Sequence, residues 1–143
     1  ARFQAAFGKT LFIQLSRANK LDQAISYVKA SQTGLWHMAP DGTEIERLSE
    51  PQEPFYDAEA IARQLADLTA MDQQWEHWFA NQSLDPLRVT YDELSADPTS
   101  VLARILDALG LDQETAEGMA TPVAKLADAT SRNWAERFLA END

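Results

Sequence analysis

Cysteine is missing from the 143 residues of this chain, which excludes disulfide bonds and thiolate metal sites and suits a reducing compartment such as the cytoplasm. No apolar run approaches the roughly 18 residues of a membrane-spanning helix, and no basic-then-apolar leader opens the sequence. The only two histidines, His37 and His77, have no cysteine or carboxylate partners at ligand spacing, so no metal site is expected. The sequence therefore predicts a cytoplasmic protein without a transmembrane segment.

Positive charge is also scarce, because 12 lysines and arginines face 23 aspartates and glutamates and leave a net charge of −11. Such a balance excludes broad binding to nucleic acid or to an anionic membrane. The cations are unevenly distributed, since residues 1–29 carry five of them and only one carboxylate, which gives this stretch a net charge of +4. A small, highly charged anion bound by a few of these groups fits the distribution.

Two short apolar runs, Thr10–Leu15 and Leu87–Tyr91, are typical of buried strands. Long helical stretches separate them, which predicts an α/β fold with a parallel sheet and helical crossovers. A sheet of only two strands has exposed edges, so we expect the fold to be incomplete at its N-terminus. The length and the 45% hydrophobic content indicate that residues 1–143 form a single domain.

Apolar residues at helical spacing predict four main helices. They are expected to run from about Lys20 to Gly34, from Asp57 to about Gln82, from Asp97-Pro98 to Gly110, and from Ser131 to about Phe138. We expect Ser131 to cap the last of these, which carries Trp134, and we expect a short acidic helix and a turn at Pro122 before it. Residues 37–56 show no sustained period and are interpreted as a surface loop. The long helix is expected to bury a stripe formed by Ile61, Leu65, Leu68, Met71, Trp75, Trp78 and Phe79.

Arg17 is the main candidate for anion binding, because it lies just past the carboxyl end of the first predicted strand, where ligands bind in open α/β sheets. The helix that follows directs its N-terminal amides and positive dipole end toward the same crevice. Ser26, about two turns into that helix, adds a hydroxyl donor if it faces the crevice. The alternatives are a surface ion pair for the arginine and helix packing for the serine.

The sequence of this segment resembles the central segment of the bacterial trehalose-type sulfotransferases. The pattern of that segment is close to R-x-x-x-x-x-Q-A-[IV]-S followed by A-x-Q-T-x-x-W. Residues 17–26 match the first part of this pattern and residues 30–36 match the second. Further likeness follows around Tyr56, at 75–79, at 86–94 and at 127–138, so the resemblance covers nearly the whole chain from Phe12 onward.

The resemblance implies a P-loop-NTPase-like fold related to nucleoside kinases, and 3′-phosphoadenosine 5′-phosphosulfate (PAPS) as the sulfuryl donor without a metal. The family residues matched by Arg17 and Ser26 bind the 3′-phosphate of that donor. In related sulfotransferases a C-terminal loop covers the same phosphate, and Lys125 and Arg132 are candidates for this loop, with solvated surface cations as the alternative. The resemblance also implies a carbohydrate or glycolipid hydroxyl as the acceptor, and it allows a homodimer.

Two further residues are candidates for the acceptor side of the site. His37 follows Trp36 at the mouth of the predicted crevice, where both are placed to contact an acceptor sugar; the alternative is an exposed loop histidine. Paired carboxylates elsewhere in the sequence carry no sign of burial, so they do not indicate acid–base catalysis.

The sequence departs from the family at one point, because the S-x-R-S-G-[ST]-T loop that cradles the 5′-phosphosulfate is missing, and with it the N-terminal strand, helix and proposed glutamate base. The catalytic residues are therefore expected outside these residues, and this chain alone is expected to be inactive. Gly8-Lys9-Thr10 imitates the end of a Walker A motif but leads into a strand, which does not fit a phosphate cradle. An alternative to the enzyme is a non-catalytic helical interaction or regulatory module that keeps the sulfotransferase framework.

Overall fold

A computed structural model of the protein describes residues 5–6, 8, 10–119, 124 and 126–142. In chain order the elements are β1 (Ile13–Ser16), α1 (Lys20–Thr33), β2 (Leu35–Met38), β3 (Glu44–Arg47), α2 (Ala58–Asn81), β4 (Leu87–Thr90), α3 (Tyr91–Ala96), α4 (Pro98–Leu109), a 3-10 helix (Gln113–Ala116) and α5 (Ala129–Asn142). Within these residues, no helix is long and apolar enough to cross a membrane. The chain divides into two compact units, a sheet unit (1–18 and 71–120) and a helical unit (19–70 and 121–143).

The sheet unit is built on β1 and β4, which pair in parallel from Ile13 opposite Leu87 to Ser16 opposite Thr90. The predicted α/β class and parallel strand pair are therefore confirmed, although β1 begins and ends later than Thr10–Leu15. Tyr91, predicted as the end of the second strand, instead opens α3, because the Thr90 side chain forms a capping box with Glu93.

Helix α4 has the boundaries that its sequence signals predict. Asp97 accepts a hydrogen bond from the Ser100 backbone N–H, Pro98 occupies the first turn, and Gly110 ends the helix in the left-handed conformation with φ of 74°. The short acidic helix is also present, as the 3-10 helix Gln113–Ala116.

The helical unit is built around α1, whose Asn19 cap accepts a hydrogen bond from the Asp22 backbone N–H and whose end lies at Gly34. Its buried face packs against Ile61 of α2 and against α5. Ile25 and Ile61 are fully buried, and the core of this unit comprises Ala24, Ile25, Val28, Ile61, Trp134 and Phe138. The apolar spacing that predicted α1 and α5 thus corresponds to a buried face on each helix.

The interpretation of residues 37–56 as a loop is wrong in its first half, because β2 and β3 form an antiparallel hairpin there. The connecting turn is closed by hydrogen bonds from the Gly42 N–H to the Ala39 oxygen at 3.0 Å and from the Ala39 N–H to the Thr43 oxygen at 2.8 Å. Asp41 accepts from the Thr43 N–H at 2.9 Å. An Asp-Gly turn of this kind is a known hairpin signal, but the flanking residues lack the alternation that normally accompanies it.

Two further expectations are wrong. Ser131 does not cap the final helix, because α5 begins earlier and the Asp128 carboxylate accepts a hydrogen bond from the Ser131 backbone N–H at 3.0 Å. The predicted core stripe of α2 is buried at Ile61 and Phe79, but Met71 and Trp75 are about half exposed, at 50% and 53%. The turn expected at Pro122 lies outside the described residues.

Candidate functional site

Arg17 directly follows β1, so it lies at the carboxyl end of the parallel strand pair. Its guanidinium carbon is 4.7 Å from the centroid of the Tyr91 ring, and Tyr91 directly follows β4 at the same end of the sheet. A cation–π contact of this kind attracts the guanidinium to the ring face and restricts its position. The sheet unit therefore holds a partly buried arginine at the edge where ligands of open α/β sheets bind.

Three polar side chains are linked by hydrogen bonds on the strand pair of the sheet unit. Gln14 and Arg88 are register partners on β1 and β4, and both contact Glu76 of α2. The two Arg88 nitrogens donate to the two Glu76 oxygens at 2.6 and 2.9 Å, which is the bidentate geometry that suits a guanidinium and a carboxylate. Hydrogen bonds from Arg88 and then from Gln14 lower the pKa of the Glu76 carboxyl to about 2.

Ser26 lies in the helical unit, on α1, and lines a cavity of about 360 Å³. Lys29 and Thr33 line it as well, one and two turns further along the same helical face. The opposite walls come from the hairpin and from the residues around the start of α5, namely Leu35, Met38, Arg47, Pro51, Gln52, Leu126, Ala127, Asp128 and Ser131. The cavity is thus apolar over much of its wall and carries two cations and several hydroxyl groups.

Both cations of this cavity are held in place by oxygen partners. Lys29 is 17% exposed, and its Nζ lies 2.5 Å from an oxygen of Asp128. Arg47 donates to the Glu44 carboxylate and to the Thr33 backbone oxygen, the latter at 2.6 Å. Burial by itself raises the pKa of the Asp128 carboxyl, but the hydrogen bonds from Lys29 and from Ser131 outweigh it, so this pKa lies below its ordinary value.

Arg17 belongs to the sheet unit and Ser26 to the helical unit. Of the other predicted binding residues, Lys125 lies outside the described residues. Arg132 is exposed on α5 and is not among the described residues that line the Ser26 cavity.

The two candidates for the acceptor side lie on β2 and do not line the Ser26 cavity, as far as the described residues show, although their neighbours Leu35 and Met38 do. Trp36 packs edge-on against Tyr27, with ring centroids 5.3 Å apart. The His37 Nδ1 lies 2.5 Å from a Glu46 oxygen across the hairpin. His37 is therefore a strand residue on an exposed hairpin and not the loop histidine that the sequence suggested.

The sequence-based prediction did not identify two residues that contribute to these sites. Tyr91 was predicted as the last residue of the second strand, so its position at the start of α3, beside Arg17, was not expected. Lys29 did give one, since it lies three positions after Ser26 and therefore on the same face of α1. Among the described residues, no group of three histidine, cysteine, aspartate or glutamate side chains is arranged to hold a metal.

Comparison with known proteins identifies a family whose model matches this chain. The family model described as Stf0 sulphotransferase matches residues 1–141. The trehalose 2-sulfotransferase of Mycobacterium tuberculosis (strain ATCC 35801 / TMC 107 / Erdman) is 30% identical over 131 residues, which are 92% of this chain and 46% of the relative. The trehalose 2-sulfotransferase of Mycolicibacterium smegmatis (strain ATCC 700084 / mc(2)155) is 33% identical over 129 residues, 90% of this chain and 45% of the relative. The chain spans about half the length of the curated relatives it matches.

Proposed function

Because the chain belongs to the Stf0 sulphotransferase family, we propose that it is the part of a sulfotransferase that binds the 3′-phosphate of PAPS. The observation that carries this proposal is the position of Arg17 at the carboxyl end of the parallel strands, in contact with the Tyr91 ring. A guanidinium held at that edge suits a dianionic phosphate, because its planar set of donors matches two phosphate oxygens at once.

Ser26 is the second proposed contact to the phosphate, through its hydroxyl group. It shares one face of α1 with Lys29, whose ammonium lies against Asp128. A phosphate near Ser26 would have this ammonium within the same cavity, and Asp128 keeps the cation neutralised when the nucleotide is absent. Lys125 and Arg132 remain proposed contacts from the C-terminal loop.

The full-length protein is proposed to have the P-loop-NTPase-like fold and to supply the missing strand, phosphosulfate loop and helix. In its reaction, the acceptor hydroxyl oxygen attacks the sulfur in line. The bond between sulfur and the bridging phosphate oxygen breaks, and adenosine 3′,5′-bisphosphate leaves. The hydroxyl proton passes to a base that lies outside residues 1–143, so this chain alone is expected to be inactive.

The acceptor is proposed to be a carbohydrate or glycolipid hydroxyl, because both curated relatives are trehalose 2-sulfotransferases. Trp36 and His37 remain the proposed acceptor contacts of this chain. The His37 side chain is exposed and Trp36 is partly buried against Tyr27, so a sugar would meet His37 and part of the Trp36 ring. The His37–Glu46 contact would have to accommodate it.

The proposal is tested by titrating the protein with adenosine 3′,5′-bisphosphate in a calorimeter. A charge-assisted contact contributes about 1.5–3 kcal/mol, so Arg17→Ala is expected to weaken binding by about 10- to 100-fold. A neutral hydroxyl contributes less, and Ser26→Ala is expected to weaken it by about 2- to 10-fold. Arg63→Ala is the matched control, because Arg63 is an exposed arginine on α2 that pairs only loosely with Glu59 at 3.4 Å.

The second candidate is a non-catalytic interaction or regulatory module. The acidic net charge of −11 and the half-exposed apolar side chains Met71 and Trp75 favour this function. The same titration separates the two candidates. Binding that is lost in Arg17→Ala and kept in Arg63→Ala supports the nucleotide site, whereas full-length protein that binds no nucleotide supports the module.

A further inference from the structure

The Ser26 cavity contains an ion pair whose two ends are unequally exposed to solvent. The Lys29 side chain is 17% exposed and the Asp128 side chain is 51% exposed, and the Lys29 Nζ lies 2.5 Å from the Asp128 Oδ2. An ammonium that is largely removed from water needs an anionic partner, because desolvation of an unpaired charge is unfavourable. A half-exposed carboxylate is solvated by water when its partner leaves. The cation therefore depends on this pair more than the carboxylate does.

The Asp128 carboxylate is also held in place by bonds that do not involve Lys29. Its Oδ1 accepts hydrogen bonds from the Ser131 backbone N–H at 3.0 Å and from the Ser131 hydroxyl at 3.1 Å. Lys29 contacts the other oxygen, Oδ2. Lys29 can therefore leave Asp128 without the loss of either bond to Ser131, and the cap of α5 persists.

The second cation of the cavity is bound in a different way. Arg47 donates through two nitrogens to the two oxygens of Glu44, three residues earlier in the chain, and through its third nitrogen to the Thr33 backbone oxygen. Such bidentate pairs are geometrically specific and strong. Asp128 is the only carboxylate among the described residues that line the cavity. Lys29 is therefore the cation whose anionic partner an entering ligand can replace.

We propose that Lys29 is a further contact to the nucleotide phosphate at Ser26, and that Asp128 is an internal anion which this phosphate displaces from Lys29. Ser26 and Lys29 lie one turn apart on the same face of α1, and both line the cavity. A phosphate monoester carries about −1.5 to −2 charges at neutral pH and has three acceptor oxygens. It therefore accepts from the ammonium and the hydroxyl together, and it attracts the ammonium more strongly than a single carboxylate does. The inference rests on the proposed placement of the 3′-phosphate at Ser26.

This exchange makes Asp128 a residue that lowers the affinity for the nucleotide. The apparent affinity of a ligand is reduced by the fraction of protein that is not in the binding-competent state, which here is the fraction with Lys29 bound to Asp128. Removing the carboxylate charge is therefore expected to strengthen binding, whereas removing a residue that only shapes the cavity wall would weaken it. Asp128→Asn is the suitable substitution, because its amide oxygen still caps α5.

The exchange is tested by calorimetric titration of the full-length protein with adenosine 3′,5′-bisphosphate. Asp128→Asn is expected to bind about two- to fivefold more tightly than the native protein. Lys29→Met is expected to bind about tenfold more weakly, because a charge-assisted contact is lost. In the Lys29→Met background the gain from Asp128→Asn is expected to shrink, since the carboxylate then has no cation to occupy.

Two controls separate the exchange from a general effect of charge. Glu136→Gln removes the same charge from an exposed position on α5 that does not line the cavity in the described part of the chain, so it is expected to leave the affinity unchanged. Adenosine 5′-monophosphate lacks the 3′-phosphate, and its affinity is expected to be the same in all variants.

Unchanged or weaker binding of the bisphosphate by Asp128→Asn would overturn the inference, and so would unchanged binding by Lys29→Met. An equal gain from Asp128→Asn with and without Lys29 would also overturn it, since the carboxylate would then act by simple repulsion. A failure of the proposed function is seen separately, in the native protein, as no binding of the bisphosphate or as equal binding of both nucleotides. That result would overturn the placement of the 3′-phosphate together with this inference.

Discussion

Asp128 combines two stabilising contacts that substitutions can separate. Its carboxylate accepts from the Ser131 backbone N–H at 3.0 Å, which caps α5, and it lies 2.5 Å from the Lys29 ammonium on α1. The cap satisfies a backbone donor that helix geometry leaves without a partner. The ion pair joins the first turn of α5 to the helix that carries Ser26, so Asp128 also fixes one wall of the Ser26 cavity.

The expected magnitudes follow from the two contacts. Loss of a helix cap costs about 1 kcal/mol, and a partly exposed ion pair contributes about 0.2–1 kcal/mol. Asp128→Ala removes both, so we expect it to lower the free energy of unfolding by about 1–2 kcal/mol. Asp128→Asn keeps an oxygen that caps the helix, and Lys29→Met removes only the cation, so each is expected to cost about 0.2–1 kcal/mol.

Urea unfolding followed by circular dichroism at neutral pH measures these values. The pKa of the Asp128 carboxyl is below its ordinary value in the folded protein, so the contribution of its charge is complete above the ordinary pKa and is lost as the pH falls through the folded value. The difference between the native protein and Asp128→Asn should therefore shrink in acid. An Asn variant as unstable as the Ala variant would refute the capping role, and unchanged stability of Lys29→Met would refute the contribution of the ion pair.

Two further predictions concern other parts of the chain. Gly34→Ala is expected to lower the free energy of unfolding in urea by about 1–3 kcal/mol. The reason is that φ is +74° at Gly34 and that an added Cβ would lie 2.8 Å from the Ser49 backbone oxygen. Unchanged stability would contradict this backbone conformation. Arg88→Ala is expected to raise the pKa of the Glu76 carboxyl from about 2 toward its ordinary value, since the Arg88 hydrogen bonds are the largest cause of the lowering. An NMR titration of the Glu76 side chain checks this, and an unchanged midpoint would show that Gln14 or another group is responsible.

Elements with local start and stop signals could be predicted from the sequence. The Gly34 end of α1 and the Asp97, Pro98 and Gly110 signals of α4 depend on backbone conformations that few residue types favour. The parallel pairing of β1 and β4 could also be predicted, because the chain between them is long and helical. These features depend on neighbours in the sequence or on chain length alone.

Features that depend on contacts distant in the sequence could not be predicted in the same way. In the β2–β3 hairpin, β3 carries three charged residues and β2 is apolar at three of its four positions, so neither strand shows regular apolar alternation. Helical periodicity identified the apolar stripe of α2 but not what covers it, and Trp75 is half exposed. The contact of Arg17 with Tyr91 depends on the register of the β1–β4 pair and on the start of α3 at Tyr91, a residue that the sequence placed within the strand.

The proposed recognition of the 3′-phosphate of PAPS by Arg17 is tested most directly by measuring two nucleotides against two proteins. Adenosine 3′,5′-bisphosphate and adenosine 5′-monophosphate differ only in the 3′-phosphate, and each is titrated into the native protein and into Arg17→Ala. We predict that the substitution weakens the bisphosphate by about 10- to 100-fold and leaves the affinity for the monophosphate unchanged. An equal loss for both nucleotides, or no loss for either, would contradict the assignment of Arg17 to the 3′-phosphate.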